Sequence, residues 1–386
     1  EWLHALEALG VSLTRTGDQI VVDSAGVRAF QPPAHALDCG NSGSAMRMLL
    51  GVLAGCSFPV ELTGDASLSQ RPMGRVVDPL RRMGAHIDGR EDGRFAPLRV
   101  QGGALGGTTF VLPVASAQVK TALLFAGLQA TGETTVVEPV LSRDHTERML
   151  RASGTPIAST IDETGAHTVR ITGGLEALGP CSLRVPGDPS TAAFFAVAAA
   201  IIPGASVTLH HTAINPARLG FLDVLRRMGA TVVVTPVGDA HGEPVGVITV
   251  TGGPLHATEI GGSEIPNVID EIPVLAVAAA CAAGTTVVRD ATEMRVKESD
   301  RIATTVELLT RLGARAEATR DGLVVYGGAR LTGGVVQSHG DHRIAMSAAI
   351  AGLIANGETT VEGWSCVAVS APQFADDVRA LGGALT

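Results

Sequence analysis

The sequence predicts an α/β protein of two similar domains, each built from three repeated βαβαββ-like units with helices buried and sheets outside. Three observations predict it: a helix end that recurs six times, an apolar small-residue helix that recurs between those ends, and an extended Pro-Gly segment at the half-way mark.

The recurring helix end has the sense L-x-x-[LMS]-G-[AVTG] and runs into a strand. It occurs in "WLHALEALGVSLTR", "DPLRRMGAHID", "TERMLRASGTPIAS", "DVLRRMGATVVV", "ELLTRLGARAEA" and "DVRALGGALT". The glycines concerned, Gly10, Gly84, Gly154, Gly229, Gly313 and Gly382, are spaced by 74, 70, 75, 84 and 69 residues. Each suits a left-handed cap that releases the chain into an alternating strand. Between them recurs a small-residue helix, a glycine and a Thr/Val-rich strand, as in "LLFAGLQATGETTVVE" and "LAVAAACAAGTTVVRD". Here the glycines are Gly55, Gly132, Gly204, Gly284 and Gly357, 72 to 80 residues apart. Order and spacing recur together, which argues against chance similarity in an Ala- and Gly-rich chain.

A unit of about 70 residues is too small to bury a core alone and too large for a thin solenoid repeat. Three units per domain resolve this. The boundary falls at "LRVPGDPSTAAFF", where Pro186 and Gly187 lead into a helix capped at Asp188 or Ser190. The domains are therefore expected at 1–185 and 186–386. Six copies of the first element meet five of the second, and the missing copy belongs about 20 residues before Glu1, so the chain is expected to lack its natural start.

Composition narrows the function. A chain of 386 residues exceeds one ordinary core, and 45% apolar with 17% charged residues describes an ordered protein. Aromatic residues are only 3%, so the cores are packed from Ala, Val, Leu and Gly, and base-stacking platforms are disfavoured. A net charge of −9 with no basic run opposes a nucleic-acid partner. The five cysteines show no CxxC and no metal-like pairing with histidine, which reads as reduced cysteines in the cytoplasm. The apolar runs fall short of the ~20 residues a bilayer needs, and no secretory signal is visible.

Of the 29 Lys and Arg residues only two are lysine, Lys120 and Lys297. Lysine is a compact, strongly hydrated, titratable charge, so its rarity points to a specific task at both places. Lys297 stands in "MRVKESDRI". Read as a helix start, that stretch puts Lys297, Glu298 and Arg301 on one face; the bland alternative is an exposed ion-pair lattice.

Five further polar stretches open helices or loops where the repeats do not require them. In "CGNSGSAMRMLL", Asn41 to Ser44 form a small-residue turn suited to an anion or to a simple cap. "GDASLSQRPMG" presents Arg71, for a carboxylate or phosphate or else for solvent. "VASAQVKTALL" puts Ser116, Gln118 and Lys120 at a helix start, again suited to an anion. In "NVIDEIPVLAVAAA", Asp270 and Glu271 precede an apolar helix, as caps or, if facing a cleft, for proton transfer. "GDHRIAM" sets Asp341, His342 and Arg343 at a helix start, with no second histidine placed to share a metal. Together, Arg71, Lys120, Lys297, Arg301 and Arg343 as cations with Asp270 and Glu298 as acid/base groups match small substrates that carry several negative charges.

In chain order, "GNSGSAMR", "QRPMG", "SAQVKTALLFAGL", "VPGDPS", "MRVKESDRI" and "GDHRIAMS" resemble the motifs of the EPSP synthase (3-phosphoshikimate 1-carboxyvinyltransferase) family. The resemblance implies two inside-out α/β domains of three units each. It also implies transfer of the enolpyruvyl group of phosphoenolpyruvate to the 5-hydroxyl of shikimate 3-phosphate, with release of phosphate, in aromatic amino acid (chorismate) biosynthesis. The route is addition then elimination through a tetrahedral intermediate. On this resemblance Asp270 matches the acid/base at the shikimate hydroxyl, and Glu298 the acid that protonates the methylene carbon. Gly43, Arg71, Gln118, Arg301 and Arg343 match phosphoenolpyruvate positions. Ser116, Ala117, Gln118, Ser142, Asp270 and Lys297 match shikimate 3-phosphate positions. Lys120 receives no role beyond local charge. No metal or organic cofactor is implied, and a cytoplasmic monomer is expected. Glyphosate competes at the phosphoenolpyruvate site in this family, and Gly43 leaves that pocket roomy where tolerant members carry alanine.

Three departures stand out. The family's early Lys-Ser-x-Ser-x-Arg helix start is absent, at the place of the missing element. Ala117 replaces a serine of some members, and Pro372 stands where some carry a phosphoenolpyruvate-binding lysine. The sibling family acting on UDP-N-acetylglucosamine carries a reactive cysteine shortly before the loop arginine, and here none lies between Cys56 and Arg71. An RNA 3'-phosphate cyclase would need a basic face, which the charge of −9 opposes. A truncated, non-catalytic fragment that binds anions is the third alternative.

Overall fold

The computed structural model describes residues 2–175 and 178–385. The chain divides into two compact units, Glu1–Ser182 and Leu183–Thr386, a few residues ahead of the boundary read from the sequence.

The first unit opens with a helix and a hairpin: α1 (Trp2–Ala8), β1 (Ser12–Thr16) and β2 (Gln19–Asp23). Two complete βαβαββ repeats follow. One runs β3 (Leu37–Asp38), α2 (Gly43–Leu53), β4 (Pro59–Thr63), α3 (Gly74–Met83), β5 (His86–Gly89), the one-turn element α4 (Arg90–Gly93) and β6 (Phe95–Gln101). The next runs β7 (Thr109–Val111), α5 (Ala117–Gln129), β8 (Glu133–Glu138), α6 (His145–Ala152), β9 (Ile157–Ile161) and β10 (His167–Thr172). Both make four-stranded sheets on one plan, β3-β4-β6-β5 and β7-β8-β10-β9. In each the leading strand pairs parallel and the others antiparallel. Alternate residues of β6, Ala96, Leu98 and Val100, are buried, so one face of that sheet packs on the helices and the other meets solvent. Helices α2 and α5 are mostly buried. They cross in backbone contact: a Cβ on Gly51 would stand 2.2 Å from the carbonyl oxygen of Ala122, so only glycine permits the approach.

The second unit repeats the scheme. Its first repeat is α7 (Pro189–Ile201), β11 (Ser206–Ala213), α8 (Gly220–Met228), β12 (Thr231–Ala240) and β13 (Glu243–Thr251), with a bridge from Gly187 to Thr212 in place of a leading strand. The second is β14 (Glu259–Ile260), α9 (Ile265–Val268), α10 (Ile272–Cys281), β15 (Thr285–Val288), α11 (Arg301–Arg311), β16 (Arg315–Ala318) and β17 (Leu323–Tyr326). The third is β18 (Val335–Gln337), α12 (His342–Gly352), β19 (Thr360–Glu362) and α13 (Phe374–Ala380). The sheets are β11-β13-β12, β14-β15-β17-β16 and β18-β19. Helices α7, α10 and α12 are apolar nearly all round, which requires that they be surrounded, and they share one core. Helices inside and sheets outside is thus the rule within each unit.

Local signals explain the boundaries. The six glycines of the recurring helix end all have positive φ, from 80° to 114°. Asp188 caps α7, accepting from the Ser190 and Thr191 N–H groups at 3.1 and 3.2 Å, with Pro189 next.

One expectation is corrected. "MRVKESDRI" is not a continuous helix start: Thr292–Val296 form a 3-10 turn, Lys297 is extended, and α11 begins only at Arg301. Asp300 is the reason, since its side chain accepts from the Ile302 and Ala303 N–H groups, each at 3.1 Å, and sets the helix start there. Among the described residues no helix is long and apolar enough to cross a membrane.

Candidate active site

In the first unit the charged side chains gather where α2 and α5 begin. Ser42 caps α2, accepting from the Ala45 N–H at 3.1 Å, so this turn serves partly as an ordinary cap. Gly43 follows beside two arginines: a Cβ there would stand 2.9 Å from Arg47 Nη1 and 3.5 Å from Arg71 Nη1. Arg71 is buried and not a solvated loop residue. It donates to Asn41 O at 3.1 Å, Asn41 Oδ1 at 2.6 Å and Ser67 Oγ at 3.2 Å. Sequence reasoning missed Arg47, whose signal was an arginine inside an otherwise apolar helix. Its Nη1 donates to Gln118 Oε1 at 2.6 Å, and Gln118 Nε2 donates to Ser44 Oγ at 2.7 Å. Gln118 thereby ties α5 to α2, and two guanidiniums lie side by side where a dianion's charge could be met.

Lys120 does not belong to this group, and its reading as an anion-holding cation is corrected. It is fully buried, with Nζ 2.8 Å from both Glu138 Oε2 and Glu147 Oε1. Its charge is met inside the protein. Glu138 also accepts from the Ser116 N–H at 3.0 Å and the Ser142 hydroxyl at 2.6 Å, and lies 3.4 Å from His167 Nδ1. Burial pushes its carboxyl up, but the bond from His167, the charge and hydrogen bond of Lys120 and the bond from Ser142 outweigh that and hold it down at about 2. Ala117 is the first residue of α5, directly after Ser116.

The second unit centres on Arg301. Its guanidinium donates Nη1 to Asp270 Oδ1 at 3.0 Å and Nε to Asp341 Oδ2 at 2.8 Å, and Nη2 to Glu298 Oε2. Burial works against its charge, but Asp341, Glu298 and Asp270 more than offset that and raise its pKa. Lys297 Nζ meets the same Asp270 oxygen at 3.3 Å. The sequence expectation therefore reaches the right grouping by the wrong route, because Lys297 and Glu298 arrive from a bend between the 3-10 turn and α11. Asp270 is no helix cap; it is the shared acceptor of two cations.

Arg343 donates Nη1 to Asp270 O at 3.1 Å and lies 3.6 Å from Glu271 Oε1. Glu271 accepts from Ser190 Oγ, which also receives Arg218 Nη2 at 2.6 Å. Asp341 caps α12 through the Arg343 N–H at 2.9 Å, and although burial raises its pKa, the charge and hydrogen bond of Arg301 bring it below the usual range. Burial, then the Arg343 charge, push His342 down towards its neutral form. Among the described residues no group of three or more His, Cys, Asp or Glu is placed to hold a metal ion.

Comparison with known proteins bears on these clusters. Residues 1–378 match the family model described as EPSP synthase (3-phosphoshikimate 1-carboxyvinyltransferase). A 3-phosphoshikimate 1-carboxyvinyltransferase of Bacillus cytotoxicus is 49% identical over 373 residues, 97% of this chain and 87% of the relative. One from Bacillus cereus is 48% identical over 379 residues, 98% of this chain and 87% of the relative. The solved EPSP synthase of Acinetobacter baumannii superposes with a TM-score of 0.84 at 42% identity, covering 98% of this chain and 86% of that one. With the family model spanning nearly the whole sequence and relatives this similar, the chain belongs to the EPSP synthase family.

Proposed function

We propose that the two clusters carry the enolpyruvyl transfer of this family, from phosphoenolpyruvate to the 5-hydroxyl of shikimate 3-phosphate. The observation that carries the reading is Arg301, a buried cation holding two carboxylates, Asp270 and Glu298, of which Asp270 is also met by Lys297. Proton acceptor and proton donor thus share one cationic centre.

Asp270 takes the proton of the 5-hydroxyl as that oxygen bonds to C2 of phosphoenolpyruvate. Glu298 delivers a proton to C3, so the methylene becomes a methyl group and the tetrahedral intermediate forms. Elimination then returns a proton from that methyl group to Glu298, breaks the C2–O bond to phosphate, which leaves with the proton held by Asp270, and re-forms the double bond, giving the enol ether and inorganic phosphate. These steps use side-chain proton transfers and no cofactor.

Arg301 is saturated with carboxylates, and they are not equally exchangeable. Glu298 is 24% exposed, Asp270 11% and Asp341 0%. A substrate anion therefore reaches Arg301 by displacing Glu298, which moves that carboxyl off the guanidinium and lets it take up the proton it delivers. Arg343 adds charge beside Arg301. In the first unit, Arg71, Gly43 and Gln118 serve phosphoenolpyruvate, and Ser116, Ala117, Gln118 and Ser142 serve shikimate 3-phosphate, as Asp270 and Lys297 do in the second. On this reading the protein acts on these small molecules as a cytoplasmic monomer, and the net charge of −9 opposes a nucleic-acid partner.

Phosphate release in the presence of both substrates tests this. Release that needs both is expected. Shikimate 3-phosphate binding without any release would return the protein to the anion-binding reading.

A further inference from the structure

Glu138 lies at the end of β8, is 0% exposed and lies outside the residues assigned above to either substrate. Its two oxygens collect the Ser116 N–H at 3.0 Å, the Ser142 hydroxyl at 2.6 Å and the Ser142 N–H at 3.4 Å. Ser116 leads into α5, and Ser142 sits in the segment between β8 and α6. One carboxylate therefore cross-links the two backbone segments that carry Ser116, Ala117, Gln118 and Ser142.

From this geometry we infer that Glu138, paired with Lys120, is a positioning residue for shikimate 3-phosphate, an inference that rests on the substrate assignment of the preceding section. A buried carboxylate is tolerated only when paired and hydrogen-bonded. Lys120 does the pairing at 2.8 Å, and Glu147 on α6 forms a second ion pair with the same ammonium at 2.8 Å. The choice of lysine follows: three N–H donors radiating from one atom fit between two carboxylates, where a planar guanidinium would need a wider gap. The cluster thus ties β8, α5 and α6 together beneath the two serine-bearing segments. For Ser142 to donate to a phosphate its hydroxyl must turn away from Glu138. When it does, Glu138 still keeps Lys120, the Ser116 N–H and the Ser142 N–H, so both segments stay tied.

Glu138 bonds to Ser116 and Ser142, which serve shikimate 3-phosphate alone, and reaches Gln118, shared with phosphoenolpyruvate, only through the start of α5, so its loss acts mainly on one substrate. Glu138→Gln is expected to raise KM for shikimate 3-phosphate about tenfold, leaving KM for phosphoenolpyruvate and kcat within about twofold. Loss of stability alone would lower the active fraction and shift neither KM selectively. Should this variant not fold, the triple variant Lys120→Met, Glu138→Gln, Glu147→Gln removes all three buried charges at similar volume, and the same selective rise is expected. In the unliganded wild type the Ser116 amide, which bonds to Glu138, is expected to exchange slowly with solvent deuterium. A folded variant with unchanged KM for shikimate 3-phosphate, an equal rise in both KM values, or fast exchange of that amide would each overturn the assignment. If the wild type itself neither binds shikimate 3-phosphate nor releases phosphate, the substrate reading fails first; an active wild type with an indifferent Glu138 variant sinks only the positioning role.

Discussion

Lys297 Nζ lies 3.3 Å from Asp270 Oδ1, the oxygen that also receives Arg301 Nη1 at 3.0 Å. Two cations on one oxygen orient that carboxylate, whose side chain is 11% exposed. Replacing Asp270 with Asn keeps the shape and removes the base. Turnover is expected to fall by about 10²- to 10⁴-fold, with equilibrium binding of both substrates changed only slightly. Steady-state rates beside calorimetric binding read this directly, and undiminished turnover would remove Asp270 from the chemistry.

Gly43 is the point in the first unit where a single added carbon has a defined effect. A Cβ there would stand 2.9 Å from Arg47 Nη1, the atom bonded to Gln118 Oε1 at 2.6 Å, so Gly43→Ala must push the guanidinium away from Gln118. The arginine tip is flexible and the fold survives. The added methyl group takes up space beside both Arg47 and Arg71, and KM for phosphoenolpyruvate is expected to rise about tenfold, the cost of one displaced charge-assisted bond. Glyphosate inhibition should weaken in parallel. Substrate kinetics that cannot tell this variant from the wild type would place phosphoenolpyruvate elsewhere.

How much was legible beforehand depended on whether a signal was local. The six helix-end glycines were readable because left-handed backbone is a property of single residues, and all six adopt it. Asp188 was readable for the same reason. Lys297, Glu298 and Arg301 were grouped correctly, yet the helix start was misplaced because Asp300, a ready N-cap directly before "RIATTVELL", was not weighed against the charge spacing. Lys120 was misread because burial is not a local property. Its partners come from β8 and α6, 18 and 27 residues further along the chain, and neither carboxylate is marked by any motif. Asp341 was seen as a helix start, but its bond to Arg301 spans 40 residues and is invisible without the fold.

That bond supports a stability prediction. Asp341 is 0% exposed, pairs with Arg301, and caps α12. Asparagine is an equally good cap, so Asp341→Asn isolates the charge. Removing one partner of a buried pair is expected to cost about 3 kcal/mol, read as a lower urea midpoint at unchanged m-value. A loss well under ~1 kcal/mol would mean that Asp270 and Glu298 alone satisfy Arg301.

Glu138 ties stability to acid. Its carboxyl is held at about 2 in the folded protein against an ordinary 4.5, because the bonds from His167, Lys120 and Ser142 overcome its burial. A depressed carboxylate contributes stability that is fully present above its unfolded value and is lost as pH falls through the folded one. The window therefore opens near pH 4.5 and closes near pH 2. Urea midpoints followed downward from about pH 6 should fall more steeply for the wild type than for Glu138→Gln, the difference in slope approaching one proton. The comparison matters because Asp341 and Asp188 are also held below their ordinary values and add to the acid sensitivity of both proteins equally. Parallel curves would mean that the Glu138 carboxyl gains nothing from Lys120 on folding, and the buried lysine would then need another explanation.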